Sequence, residues 1–159
     1  VQFDLAAHSG NKKHERYFAP PGSKDPKCYG VDALAYAWAP LSTSFFKNAD
    51  GTPGLLWLNC EFSKINTWAR KCEYAQRDGA NIVLLVPASV GANWFNEHIA
   101  GRADVYLLNG RICFDGKNLY AKDCMVCHFH SSRFPKNGRM FIWNWKKDEL
   151  LKGWYLWGV

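Results

Sequence analysis

No apolar run in this sequence is long enough to cross a bilayer. The longest, such as Ile82 to Val86, fall far below the roughly 20 residues a spanning helix needs, so no membrane segment is expected. A cationic, apolar leader ending in small residues is also lacking. The chain opens on Val1 rather than Met, which places the expected start upstream. Without a secretory segment, the six cysteines (Cys28, Cys60, Cys72, Cys113, Cys124 and Cys127) read as reduced thiols of a cytoplasmic protein rather than a disulfide framework. Internal repeats and low-complexity tracts are absent, so the 159 residues read as one domain, 1–159, long enough to bury a core without staples. Acidic residues are outnumbered, 14 against 20 Lys and Arg, and the net charge of +6 favours a polyanionic partner without saying anything of the fold.

What is present is apolar and aromatic. The 48% hydrophobic and 21% charged content is that of a folded globular chain. The eight Trp could stack on bases, although most aromatics are core residues. Phe3 to Ala7 reads as the end of a short buried strand. Asp32 stands where it could cap a short helix, Ala33 to Ala37. A strong turn signal, Asn48 to Gly54, precedes a buried strand, Leu55 to Leu58. Trp68, Ala69, Cys72 and Ala75 have helical spacing, which predicts a helix over Asn66 to Arg77, ended by Asp78-Gly79. Ile82 to Val86 is a buried strand stopped by Pro87, Trp94 to Ile99 a turn or two of helix, and Asp104 to Leu108 another strand. Asn109-Gly110 suggests a hairpin turn continuing into Arg111 to Phe114. Cys124 to Phe129 and Met140 to Trp145 read as strands joined by a turn over Pro135 to Gly138, followed by a short aromatic tail. Continuous apolar strands alternating with helices predict an α/β fold with a mostly parallel sheet, turning antiparallel where connections shorten towards the C-terminus. Ligands of such sheets sit beyond the carboxyl ends of the strands, which puts Asp4, Asn59 and Pro87 on one rim.

Three stretches carry a resemblance. The first is Phe3-Asp4-Leu5-Ala6-Ala7 with Asn11-Lys12-Lys13 and Arg16-Tyr17-Phe18. The second is Asn59-Cys60-Glu61-Phe62-Ser63-Lys64-Ile65 with Trp68, and the third Leu84-Leu85-Val86-Pro87-Ala88, Trp94-Phe95 and Gly110-Arg111-Ile112-Cys113-Phe114. Asp32-Ala33-Leu34 with Trp38 adds a fourth element. In order and spacing these resemble the phage-type Dam family of DNA N-6-adenine-methyltransferases over residues 3 to about 129. The family's further N-terminal segment, with a Trp-x-Thr-Pro element, is not in this sequence.

The resemblance implies a Rossmann-like S-adenosylmethionine-dependent methyltransferase fold, S-adenosylmethionine as cofactor, double-stranded DNA as partner and no metal. Adenine N6 is a poor nucleophile, because its lone pair is delocalised into the ring; acceptors aimed at the amino protons localise it. In the family motif Asn-Pro-Pro-aromatic these are the Asn oxygen and the next backbone carbonyl, while the aromatic ring stacks on the flipped base. Carried over, Asn59, Cys60 and Phe62 are the catalytic set, Asp4, Ala6 and Asp32 the cofactor set, and Arg111, Lys64 and Arg16 the DNA contacts. The sequence departs from the motif at Cys60 and Glu61: two prolines are gone and a negative charge is added, which leaves a catalytically inactive DNA-binding relative as the alternative. Read from the residues alone, Asp4 could equally make an Asx turn and Asp32 an N-cap. Cys124-Met125-Val126-Cys127-His128-Phe129-His130 offers a further alternative, a zinc-bearing nucleic-acid binder, against small core residues on a strand.

Overall fold

Apolar runs free of Glu, Lys and Arg form the central strands of the sheet, whereas those three residue types enter it only in the last two strands. The computed structural model describes residues 1–131 and 138–155. In chain order the elements are β1 (Phe3–Asp4), β2 (Phe18–Ala19), β3 (Gly30–Val31), β4 (Leu55–Leu58), α1 (Ile65–Arg77), β5 (Asn81–Pro87), α2 (Asn93–His98), β6 (Asp104–Leu108), β7 (Cys124–Phe129), β8 (Arg139–Asn144) and β9 (Glu149–Tyr155). Seven of these strands form one sheet in the order β1-β4-β5-β7-β6-β8-β9, and β2 and β3 form a small parallel pair. Strands β1, β4 and β5 are parallel neighbours, with Asp4 opposite Trp57 and Leu58 opposite Leu84. β7 runs against both β5 and β6, and β9 against β8, while β6 and β8 are parallel. The protein is therefore α/β with a mixed, mostly parallel sheet whose antiparallel strands come late in the chain.

Strand alternation sorts the core. Leu56, Leu58, Ile82, Leu84, Val105 and Met125 face one way and are fully buried beneath the helices. Helix α1 buries Ile65, Ala69, Cys72 and Gln76, a spacing that keeps one stripe against the sheet. It ends at Gly79, whose φ of 95° sits in the left-handed region, so that the Ala80 N–H returns to the Ala75 carbonyl at 2.9 Å. Glu73 is 3% exposed and fastens α1 to the segment after it: Arg77 Nη2 at 2.6 Å, Arg102 Nε at 2.8 Å and His98 Nδ1 at 2.8 Å surround its carboxylate. The opposite face of the sheet carries Trp57, Val83, Leu85, Tyr106, Val126 and Trp143 around an open apolar cavity of about 540 Å³.

The entry to β4 admits only glycine. A Cβ at Gly54 would lie 1.8 Å from the Phe46 carbonyl oxygen. Buried Ser42 binds the same point, donating to the Gly54 carbonyl at 2.6 Å and accepting the Asn81 N–H at 3.1 Å, which ties the starts of β4 and β5 together.

Several local expectations are corrected. Arg111 to Phe114 is not a strand: β6 and β7 do pair as a hairpin, but a long loop over 109–123 joins them in place of a tight turn at Asn109-Gly110. That loop is shaped by its own polar groups, as Asp115 accepts the Lys117 and Asn118 N–H groups. Strands β7 and β8 are not neighbours; β6 lies between them. The Pro135 to Gly138 turn falls mostly outside the described residues. Pro87 closes β5 from within, opposite Cys124. The segment from Glu149 is the edge strand β9. The Ala33 to Ala37 helix is only a 3-10 turn, Ala33–Ala35.

Candidate functional site

The carboxyl ends of β1 and β4 open onto a cleft of about 240 Å³. Its walls are the loop after β1 (Leu5 to His8, with Asn11), the residues after β2 and β3, the loop after β4 and one side chain of α1. Among the residues expected to act, Ala6, Asp32, Asn59 and Lys64 line it together, and Glu61 joins them. Residues more than 50 positions apart in sequence thus meet because parallel strands end on the same rim.

Asp4 does something else. It is 2% exposed, and its carboxylate turns into its own loop, accepting the Ala6 N–H at 3.2 Å and the Lys13 N–H at 2.8 Å. Burial pushes its pKa up, against the lowering effect of those two N–H groups and of the Lys13 and His14 charges. It does not line the cleft, and its bond to the Ala6 N–H closes an Asx turn. Asp32 reverses the other way. It stands at the N-cap position of the Ala33–Ala35 turn, but its side chain makes no cap hydrogen bond, and its backbone lies at φ 59°, ψ 75°, uncommon for a residue other than Gly. Its half-buried carboxylate lines the cleft without a partner among the described residues.

The loop after β4 divides its four residues between three surroundings. Asn59 lines the cleft, and its side chain has no hydrogen bond among the described residues. Cys60 is 6% exposed in the main core, where burial pushes its thiol up to about 12, so only its backbone is left for a ligand. Glu61 stands exposed at the cleft mouth. Ser63 Oγ donates to it at 2.7 Å and Lys64 Nζ pairs with it at 3.1 Å, and these hold its carboxyl below the ordinary range. Its backbone, at φ −63° and ψ 117°, is the conformation a proline ring would impose. The clasp with Ser63 and Lys64, together with the Lys64 N–H to Glu61 carbonyl bond at 3.1 Å, keeps the turn closed without proline.

Phe62 does not line the cleft. Its ring packs against Phe114 and Tyr120 of the 109–123 loop, at centroid distances of 6.0 and 5.8 Å, and Phe114 is 44% exposed. The three expected DNA contacts have separate partners: Arg111 pairs with Asp123 at 3.5 Å, Lys64 with Glu61, and the Arg16 guanidinium lies 4.7 Å over the Phe46 ring. Only Lys64 of the three reaches the cleft. Nothing in the linear pattern marked Asn11 or Pro21 as cleft residues, and Trp68 read as part of the core stripe of α1.

The Cys124 to His130 stretch is strand β7 and an adjoining residue, where Met125, Cys127 and Phe129 face the core and Val126 and His128 the opposite cavity. Cys127 and His128 therefore point to opposite faces of the sheet and cannot share an ion. Among the described residues, no three His, Cys, Asp or Glu side chains are grouped to hold a metal, and no helix is long and apolar enough to cross a membrane. No known protein-family model matches the sequence, and no curated protein matches it.

Proposed function

We propose that the protein is an S-adenosylmethionine-dependent DNA adenine-N6 methyltransferase of the phage-type Dam family, acting on double-stranded DNA in the cytoplasm. The observation that carries this reading is Asn59, placed directly after a parallel strand in the same cleft as Asp32, with neither side chain hydrogen-bonded among the described residues. Both side chains can accept hydrogen bonds. When bound, S-adenosylmethionine supplies an electrophilic methyl group. Asp32 is suited to accept from hydroxyl or amino groups of that ligand, and Asp4 shapes the loop that presents Ala6. Asn59 Oδ1 accepts from the exocyclic amino group of the target adenine, localising its lone pair for attack. The Glu61 φ of −63° is one that a proline could also take, which supports the motif reading of this turn.

One observation favours a second reading, a catalytically inactive relative that retains binding. The Phe62 ring is engaged with Phe114 and Tyr120, outside the cleft, so its face is not presented beside Asn59. A single assay separates the two: methyl transfer to unmethylated DNA, scored as N6-methyladenine by mass spectrometry, with Asn59→Ala as control. Product that disappears in Asn59→Ala supports the enzyme. Cofactor binding without product supports the inactive relative, and absence of both refutes the family assignment.

A further inference from the structure

Trp68 reaches the cleft wall from the second turn of α1, and its indole is the odd member of a pair. It stacks on Trp38 at 6.1 Å with 21° between the planes. The Trp38 Nε1–H donates to the Ala33 carbonyl at 2.9 Å, whereas the Trp68 Nε1–H is fully covered and has no acceptor among the described residues. A covered donor without an acceptor destabilises the fold that contains it, and such groups are few in native proteins. The wall beside it holds a second anomaly, the left-handed backbone of Asp32, which leads into Ala33 and Leu34. That wall is held from behind by Trp38 and by Lys71 Nζ, which donates to the Leu34 carbonyl at 3.3 Å. The cleft is also small: its 240 Å³ lies under the roughly 300 to 1,000 Å³ of ordinary ligand pockets. An unmet donor, a left-handed backbone and a tight volume coincide at one wall, where a ligand that displaced Asp32 to Leu34 outward would gain room and bring an acceptor to the donor.

We infer that the Trp68 Nε1–H is a ligand-binding donor, which takes an acceptor oxygen or ring nitrogen of the nucleoside ligand once the Asp32 to Leu34 wall moves outward. The identity of that ligand rests on the function proposed above; the unmet donor does not. Trp68→Phe keeps an aromatic ring against Trp38 and removes the N–H. The full chain is titrated with S-adenosylhomocysteine, a non-reactive product, by calorimetry, and its melting is followed without ligand. The expected result is affinity about ten-fold weaker in Trp68→Phe, one hydrogen bond's worth, with a ligand-free melting temperature that does not fall. A merely structural Trp68 gives the reverse pattern, lower melting with affinity intact, and overturns the inference. Proton–nitrogen correlation spectra of the wild type keep the test independent of how well the variant folds. The indole peak missing in Trp68→Phe must move downfield on addition of S-adenosylhomocysteine. A wild type that binds the ligand with this peak unmoved overturns the inference alone. A wild type that binds none overturns the methyltransferase reading and the inference with it.

Discussion

Replacing Asp4 with alanine separates a loop organiser from a cofactor ligand. The wild-type carboxylate satisfies two backbone donors, Ala6 N–H and Lys13 N–H, from a position 2% exposed. Each buried donor left unmet costs about 1–3 kcal/mol. Lys13 lies at the surface and Ala6 is half-buried, so water recovers part of both. Removing the carboxylate also removes its own burial penalty, the effect that raises its pKa. The expected net loss is about 2 kcal/mol, which for a chain of this size lowers the melting temperature by roughly 4–8 °C. Asp4→Asn, which keeps an acceptor, should lose about half as much. Thermal unfolding followed by circular dichroism measures both, and titration with S-adenosylhomocysteine below the melting range reads the site. If Asp4 only shapes the loop, affinity falls in step with stability across the two variants. An Asp4→Ala protein that melts like the wild type while losing ligand binding would refute the reasoning and return Asp4 to the cofactor set.

Two further outcomes are expected. The Glu73 carboxyl, which burial alone would raise, is held below its ordinary 4.5 by hydrogen bonds from His98 and Arg102 and the charges of Arg102 and Arg77. A lowered folded-state pKa contributes stability above pH 4.5 that is lost as pH falls through the folded value, so Glu73→Gln should flatten the acid limb of the stability–pH curve. Its neutral-pH cost should be about 2 kcal/mol, below the 3–5 of a fully buried pair because Arg77 and Arg102 are partly hydrated; an unchanged acid limb would show that the network does not form. Brief alkylation of the folded protein near pH 8 should label exposed Cys113 and spare Cys60, whose buried thiol is pushed up to about 12; mass spectrometry showing equal labelling would remove Cys60 from the core.

The linear sequence determined the elements whose signal is local. Apolar runs of four or five residues marked β4, β5 and β6, and the spacing of Ala69 and Cys72 marked α1 to within a residue of its start, because alternation and helical period are properties of neighbours along the chain. It also placed Asp4, Asn59 and Pro87 at strand ends, since a polar or proline residue after an apolar run is visible without the fold. Two-residue strands such as β2 and β3 carry no period and were not legible, nor was the insertion of β6 between β7 and β8, which depends on pairing between distant segments. The tertiary structure alone decided what each candidate side chain does. Asp4 ends β1 and Asp32 follows β3; the sequence left an Asx turn or a ligand role open for the first and an N-cap or a ligand role for the second. The Asp4 carboxylate meets two N–H groups of its own loop, whereas Asp32 lines the cleft and meets none among the described residues. Likewise Phe62 stands three residues from Asn59 but turns towards Phe114 and Tyr120, partners supplied by a loop about 50 residues further on, which no local rule couples to it.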